Sequence, residues 1–364
     1  VKITKLEAII LEVKEENPAS DALHTYDAGR TVVTRIYTDE GIVGYATTHI
    51  GRGKATADVL KVLLEKELAP ALIGEDPFFT KQIRKKLWGI ADYHGVEGLA
   101  HFGISAIDIA LWDIVGKAVN LPTAKVLGAC RDRIPAYSMS GWYFDSEKEF
   151  LERCISAAEE GFKAVKLKVG RYSLENDIQR IKAVQKELGS DFTIMVDANQ
   201  GFDVREALRR GRAYQELGIR WLEEPLIPQH KENHARLVQA LDIPIAIGEN
   251  FYTKYQFYDA VKVGAASVYQ PDNRRAGGPT EWLEIAAITD AAGFHIASHG
   301  GGPANVNMLC AIPNAIYLES GSLKHENKML VTQLKMVNGE VLLPDTPGMG
   351  TEVREDFIKA HRVD

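Results

Sequence analysis

From Arg133 onward the chain repeats one pattern: a short apolar run, then an amphipathic stretch of about 15 residues. Eight such runs can be read: Ile134–Met139, Ala164–Val169, Thr193–Asp197, Arg220–Glu223, Pro244–Glu249, Ser267–Asp272, Phe294–His299 and Ala315–Glu319. Strand-length runs alternating with helices build parallel sheets, because a parallel neighbour needs a crossover helix. Two α/β architectures satisfy this rhythm, the closed barrel and the open doubly wound sheet. Eight units without a Gly-x-Gly-x-x-Gly turn favour the barrel. In a barrel the reactive groups collect at the C-terminal ends of the strands. Charged or polar residues end nearly every run here, at the end where this fold places chemistry.

The first third has a different texture. Val1–Val13 is rich in Ile, Val and Leu, and Lys14–Arg30 is polar and reads as a loop. Thr31–Thr38 alternates as a half-buried strand, Asp39-Glu40-Gly41 turns, and Ile42–Thr48 returns. From about Ala55 to Gly128 the period becomes helical, most clearly at Ile104–Asp113. The order of elements predicts an α+β domain over 1–130, a barrel over 131–322, and a segment, 323–364, that returns to pack on the first domain. With a net charge of −7, the chain carries no nucleic-acid footprint. Cys130, Cys154 and Cys310 are too few and too scattered for a zinc cluster or a disulfide framework. No run is long enough to span a bilayer and the first residues read as a strand, so cytoplasm is the expected location.

Lys166 and Lys168 fall on one face of the second run, since strand side chains alternate. Outward-facing lysines would lie under helices, so the inward reading is preferred. Paired buried ammonium groups need negative charge opposite them. Asp197, Glu223 and Glu249 close the next three runs and can converge on one point. Converging acids repel unless a cation joins them, and an oxygen-only set suits a hard divalent ion. The competing reading makes each acid a helix cap or a surface charge. Glu224 is expected to face away from Glu223 in a structural ion pair. Asn199 shares the face of Asp197 and either supports a metal shell or turns the loop. A lysine beside a dication and a second lysine should have a lowered pKa and serve as a base. Asp272 and His299 end successive runs, and a carboxylate on one imidazole nitrogen fixes the tautomer. His295, at the other end of its run, reads as structural. Glu319 either offers a proton or hydrogen bond to a substrate carboxylate or is a loop acid.

The ordered set Lys166-Leu167-Lys168, Val196-Asp197-Ala198-Asn199, Leu222-Glu223-Glu224-Pro225, Gly248-Glu249-Asn250, Gln270-Pro271-Asp272 and Ser298-His299 resembles the enolase superfamily, specifically its mandelate racemase subgroup. The likeness covers essentially the whole chain. It implies a modified (β/α)₇β TIM barrel under an N-terminal α+β capping domain. It implies Mg²⁺, with Mn²⁺ as substitute, on Asp197, Glu223 and Glu249. It implies Lys168 as base on one face of the α-carbon, Lys166 near the substrate carboxylate, His299 with Asp272 on the other face, and Glu319 on the enediolate oxygen. The muconate lactonizing and dipeptide epimerase branch places a lysine on the sixth strand, where this chain has Asp272-Asn273-Arg274-Arg275. Most members with these residues resemble acid-sugar dehydratases, which form 2-keto-3-deoxy acids. A racemase, epimerase or cycloisomerase using the same groups is the alternative. The resemblance also implies a symmetric homo-oligomer, an octamer in its fullest form, and a small carboxylate as substrate.

Specificity is expected in the cap, in loops near 14–30 and 47–54. The candidates there are His24, Tyr26, Arg30, Thr48 and His49, polar groups suited to hydroxyls or a distal carboxylate. Trp142 and Tyr143, with Phe144, add aromatic area after the first barrel strand and either meet substrate or pack on the cap. Gly300-Gly301-Gly302 leaves room beside His299.

Overall fold

A computed structural model describes residues 1–50, 54–144 and 146–364, with the backbone alone at 14–18, 27, 28 and 50. Strands β1 (Ile3–Ser20), β2 (Thr25–Thr38) and β3 (Val43–Ile50) form an antiparallel sheet. Helices α1 (Lys54–Val62), α2 (Thr80–Ala91), α3 (Leu99–Ala118) and α4 (Thr123–Val126) follow. The polar stretch expected as a loop is instead a hairpin. Its strands pair at Ala19↔Tyr26 and Ser20↔Thr25, and Asp21 Oδ1 accepts the N–H groups of Leu23 and His24, both at 2.7 Å, to close the turn. A two-stranded ribbon needs no apolar face, so periodicity could not reveal it. The second expected loop is mostly strand β3, and its residues 51–53 lie outside the described residues.

The barrel strands are β4 (Arg133–Gly141), β5 (Ala164–Lys168), β6 (Thr193–Asp197), β7 (Leu222–Glu223), β8 (Ile245–Ile247), β9 (Val268–Tyr269), β10 (His295–Ala297) and β11 (Ala315–Ser320). Neighbours pair in parallel in chain order, and β11 pairs with β4 to close the ring. The intervening helices are α5 (Glu147–Glu160), α6 (Leu174–Leu188), α7 (Val204–Glu216), α8 (Lys231–Ala240), α9 (Lys254–Val263), α10 (Gly278–Ala291) and α11 (Pro303–Cys310). Ser146, Ser173 and Asp203 cap α5, α6 and α7, each accepting a backbone N–H from the first turn. The chain ends with α12 (Leu323–Met329), the hairpin β12 (Met336–Val337) and β13 (Glu340–Leu342), and α13 (Glu355–His361). The hairpin joins β4 on its antiparallel side, while Val363 N–H reaches the Ile10 carbonyl at 3.0 Å.

Aromatic bulk fills the barrel below the strand ends. Tyr137, Met195 and Trp221 pack with Tyr317, and the three rings meet edge to face at 5.4 to 6.1 Å. This plug closes the bottom, so any ligand must enter between barrel and cap. Helix α3 is the one described helix long and apolar enough to cross a membrane, and 83% of that window is buried inside the fold. Its burial comes from packing against β3, where Gly44 sits on the Ala110 carbonyl too closely for any Cβ.

Asp108 of α3 joins cap to barrel. It accepts the Thr280 N–H and hydroxyl, both at 2.7 Å, in the first turn of α10. Burial pushes its carboxyl up to about 6, only partly opposed by those donors. The native state therefore binds more protons than the unfolded chain between about pH 4 and pH 6, and stability falls as pH rises through that window. Asp108→Asn should remove this dependence. The unfolding free energy of wild type relative to the variant is expected to drop by up to about 3 kcal/mol between pH 4 and pH 7, measured by urea denaturation at each pH.

Candidate active site

The alternation of β5 points Ala164, Lys166 and Lys168 inward and leaves Val165 and Leu167 in the core behind the barrel wall. Lys166 is 1% exposed, and its Nζ lies 2.5 Å from Glu223 Oε1, 2.5 Å from Glu319 Oε2 and 3.4 Å from Asp197 Oδ2. Lys168 Nζ lies 2.5 Å from Asp197 Oδ2 and 4.5 Å above the Trp142 ring. Asp197, Glu223 and Glu249 present ligand oxygens that all fall within 4.8 Å of one another. Two residues absent from the sequence-based set fix Glu223: Gln270 Nε2 donates to its Oε2 at 2.8 Å and Trp221 Nε1 at 3.1 Å. Tyr137 was missed as well; its hydroxyl donates to Glu319 Oε2 at 2.8 Å, while Gly300 N–H holds Oε1 at 3.0 Å. Inward alternation on β4 and along the run Arg220–Glu223 was the available signal for Tyr137 and Trp221.

The charges show what the cluster is built to hold. Burial pushes Glu223 up to about 8 against the pull of Lys166, with Asp197, Glu319 and Glu249 adding repulsion. Glu224 is driven well above the carboxylate range by burial and by Glu249 and Asp197. More negative charge is gathered here than the two lysines return, and the excess appears as carboxyls that retain protons. A hard dication relieves that excess. Glu249 Oε2 is buried without a hydrogen-bond partner, so an acceptor stands ready for it. The all-oxygen donor set therefore fits a Mg²⁺-like ion.

The lowered pKa expected of Lys168 belongs to the cation-bound site. Without a cation it is raised: burial and Lys166 pull it down, but Asp197, Glu249 and Glu223 prevail. One expectation needs correction. Among the described residues Glu224 makes no ion pair. Its backbone φ of +36° turns it out of strand alternation, and Asn250 Nδ2 at 2.6 Å and Gln200 Nε2 at 3.1 Å hold Oε2. Glu319 is an ionised acceptor here: despite burial, Lys166 and His299 hold its carboxyl far below the usual range. It can donate only after taking a proton.

Asp272 and His299 meet as expected, Nδ1 to Oδ2 at 2.8 Å, and His299 Nε2 stands 3.5 Å from Glu249 Oε2. The His299 pKa is raised: burial lowers it, while Glu249, Glu319 and Asp272 outweigh that. Lysine and histidine come from β5 and β10, three strands apart around the ring by the shorter way. They flank the carboxylate cluster from opposite sides. His295 is exposed at the start of β10. Asn199 has φ +41° and gives its backbone N–H to Asp197 Oδ1 at 2.9 Å, while its side-chain Oδ1 is buried without a partner.

The cap contributes part of what was expected. Tyr26 meets Trp142 edge to face at 5.3 Å, and Trp142 covers Lys168, so both rings belong to the site wall. His24 lies beside Tyr26, and both bond Asp21. His49 is solvent-accessible yet surrounded by protein. Burial and then Arg274 lower its pKa to about 4, so it is neutral at pH 7. Arg30 is spent within the cap on Glu12 at 2.9 Å and Asp58 at 3.0 Å. Thr48 is fully buried on the face of β3 that carries Gly44 and Ala46. Tyr143 is buried too. Its hydroxyl donates to Asp177 at 3.0 Å and its backbone exchanges two hydrogen bonds with Ser20. Each of these three side chains is committed elsewhere: Arg30 by its ion pairs, Thr48 by its buried strand face and Tyr143 by its hydrogen bond to Asp177.

A closed barrel whose mouth sets an amine, an imidazole and three metal-competent carboxylates around one point defines a metal-assisted carbon-acid enzyme. Residues 149–357 match the family described as Enolase C-terminal domain-like, and residues 5–128 match the Mandelate racemase / muconate lactonizing enzyme N-terminal domain. The chain belongs to the mandelate racemase/muconate lactonizing enzyme family of the enolase superfamily. Among its relatives, it is 33% identical to the arabinonate dehydratase of Saccharolobus solfataricus, over 91% of this chain and 90% of that one. It is 31% identical to the D-galactarolactone cycloisomerase of Agrobacterium fabrum, over 100% and 99%. A solved L-talarate/galactarate dehydratase mutant, liganded with Mg and L-glucarate, superposes with a TM-score of 0.93 at 30% identity, over 100% of this chain and 92% of that one.

Glu249→Gln should keep the fold, since no hydrogen bond to Glu249 Oε2 is lost. It should weaken Mg²⁺ binding by about 100-fold or more in titration calorimetry, with an unchanged far-UV circular dichroism spectrum.

Proposed function

We propose that the chain is an acid-sugar dehydratase that works with Mg²⁺ and accepts Mn²⁺ in its place. The opposed placement of Lys168 and His299 about the three carboxylates carries this reading. Asp197, Glu223 and Glu249 would hold the divalent ion, which would supply positive charge beside the substrate carboxylate. With those carboxylates so engaged, desolvation would favour the neutral amine of Lys168. Lys168 Nζ then removes the proton α to the carboxylate, and the electron pair moves onto the carboxylate as an enediolate. Lys166, fixed between Glu223 and Glu319, gives that carboxylate a second cation. His299, held by Asp272 at Nδ1, presents a protonated Nε2 to the other face. It gives this proton to the β-hydroxyl as the C–O bond breaks, and water leaves. The enol then tautomerises to a 2-keto-3-deoxy acid.

Relatives named for arabinonate and for talarate and galactarate support the dehydration of polyhydroxy acids. The polar and aromatic mouth formed by His24, Tyr26, His49 and Trp142 suits a hydroxylated chain. Cycloisomerisation is the second reading, favoured by the cycloisomerase matched over its whole length. It uses the same base and acid on a lactone or anhydro acid.

A screen of aldonic and aldaric acids with Mg²⁺ separates these readings. Dehydration yields a 2-keto acid detected with semicarbazide, and cycloisomerisation yields a product of unchanged mass. Lys168→Ala and His299→Ala should each lower kcat by about 10³-fold or more. His299→Ala should still exchange the α-proton of substrate for solvent deuterium, read by NMR, and Lys168→Ala should not. Full activity in either variant would overturn the two-group assignment.

A further inference from the structure

One cation at the barrel mouth has no part in the chemistry above. Arg274 follows Asp272 by two residues and turns back on it. Its Nε donates to Asp272 Oδ1 at 2.9 Å, its Nη2 to Oδ2 at 2.7 Å, and its backbone N–H to Oδ1 at 2.8 Å. Those two side-chain bonds use one edge of the guanidinium. Among the described residues no acceptor meets Nη1. The side chain is nevertheless 23% exposed. The plane rests on Gly300, where a Cβ would stand 2.5 Å from Nη2. His299 and Glu319 flank Gly300, through the chain and through its N–H respectively. On the cap, His49 is close enough for Arg274 and Asp272 to act on its charge, and its ring lies over Gly29. A guanidinium from the barrel and an imidazole from the cap are thus within electrostatic reach of each other beside the bonded Asp272–His299 pair.

A purely structural role would be to offset the Asp272 charge. That role needs only the edge already bonded. It does not call for a side chain left 23% exposed beside the Asp272–His299 pair. In the proposed reaction the substrate carboxylate lies with the metal ligands and the lysines and His299 meets the β-carbon, so a longer acid has carbons left over beyond His299, where Asp272 and Arg274 stand. An outer guanidinium edge donates and cannot accept. It selects for oxygen.

We propose that Arg274 is a specificity-determining residue, which with His49 binds an oxygen at the end of the substrate remote from the reacting carboxylate. This rests on the acid-sugar reading and narrows it to acids with an oxygenated terminus. That oxygen belongs either to a second carboxylate or to a terminal hydroxyl.

Arg274→Met and Arg274→Lys in the Mg²⁺-loaded protein test the idea against three six-carbon acids: a diacid, a monoacid ending in a hydroxymethyl group, and a 6-deoxy monoacid ending in methyl. Titration calorimetry of Kd and steady-state kcat and KM are read for each. Arg274→Met should weaken Kd and raise KM for one or both oxygenated acids by about 10-fold or more, leave Kd and KM for the 6-deoxy acid within about 2-fold whatever common fall in kcat the loosened Asp272 brings, and so erase the preference between them. Arg274→Lys should restore part of it. A larger loss on the diacid identifies a carboxylate, and an equal loss on both oxygenated acids identifies a hydroxyl. An equal fall in kcat on all three acids, with Kd unchanged, would reduce Arg274 to a support for Asp272 and overturn the proposal. So would a wild-type protein that binds the 6-deoxy acid as tightly as the oxygenated ones. Failure of the dehydratase reading looks different, because these acids would then bind and yield no 2-keto product.

Discussion

Lys166 cannot exist where it is without its acids. A fully buried ammonium group costs several kcal/mol unless paired, and Lys166 is satisfied by Glu223, Glu319 and, at longer range, Asp197. The acids are equally dependent, since each is buried and loses water. The cluster stands as a mutual neutralisation with a surplus of negative charge left over. That surplus is visible in the raised carboxyls of Glu223 and Glu224. A structure that wanted only stability would replace such a cluster with apolar residues. The retained surplus is the signature of a site that completes itself with a cation.

The surrounding fold spends its rigid parts on holding this arrangement. Below it the plug of Tyr137, Trp221 and Tyr317 shuts off water and sends two polar tips upward, to Glu319 and Glu223. Beside it Arg180 donates to the carbonyls of Lys168 at 2.7 Å and Trp142 at 2.9 Å. One side chain of α6 thereby ties the end of β5 to the residue that covers its lysine. Behind that, Asp177 gathers Tyr143, Tyr214 and Arg210. These residues set where the lysines stand without facing the substrate space.

The barrel was legible because strand alternation and run length are local properties. The lysines, the three metal-competent acids and the Asp272–His299 pair all lie at strand ends that periodicity alone locates. The cap was less legible. Its candidates were chosen as polar residues near a mouth, and polarity does not say which way a side chain points. Thr48 and His49 are neighbours, yet alternation buries one and opens the other. Arg30 looked available until Glu12 and Asp58, distant in sequence, were placed beside it. Glu224 was misread for a backbone reason: a positive φ breaks the alternation on which its expected direction depended. Arg274 was seen only as evidence against one branch, because nothing in its local sequence shows that it folds back on Asp272.

The two walls of the site differ in kind. On the barrel side the loop after His299 is pinned from above and below. Asn305 Nδ2 donates to the carbonyls of Gly300 and Gly301 at 2.6 and 3.1 Å, and Glu319 takes the Gly300 N–H. The His299 imidazole therefore sits on a fixed frame. The cap side is a hairpin and a strand end, joined to the barrel by the Ser20–Tyr143 backbone bonds and by the Tyr26 ring on Trp142. Proton transfer tolerates little displacement, while recognition of a hydroxylated chain can be rebuilt by exchanging a few cap side chains. Relatives named as a dehydratase and as a cycloisomerase fit that division between a fixed frame and an exchangeable cap.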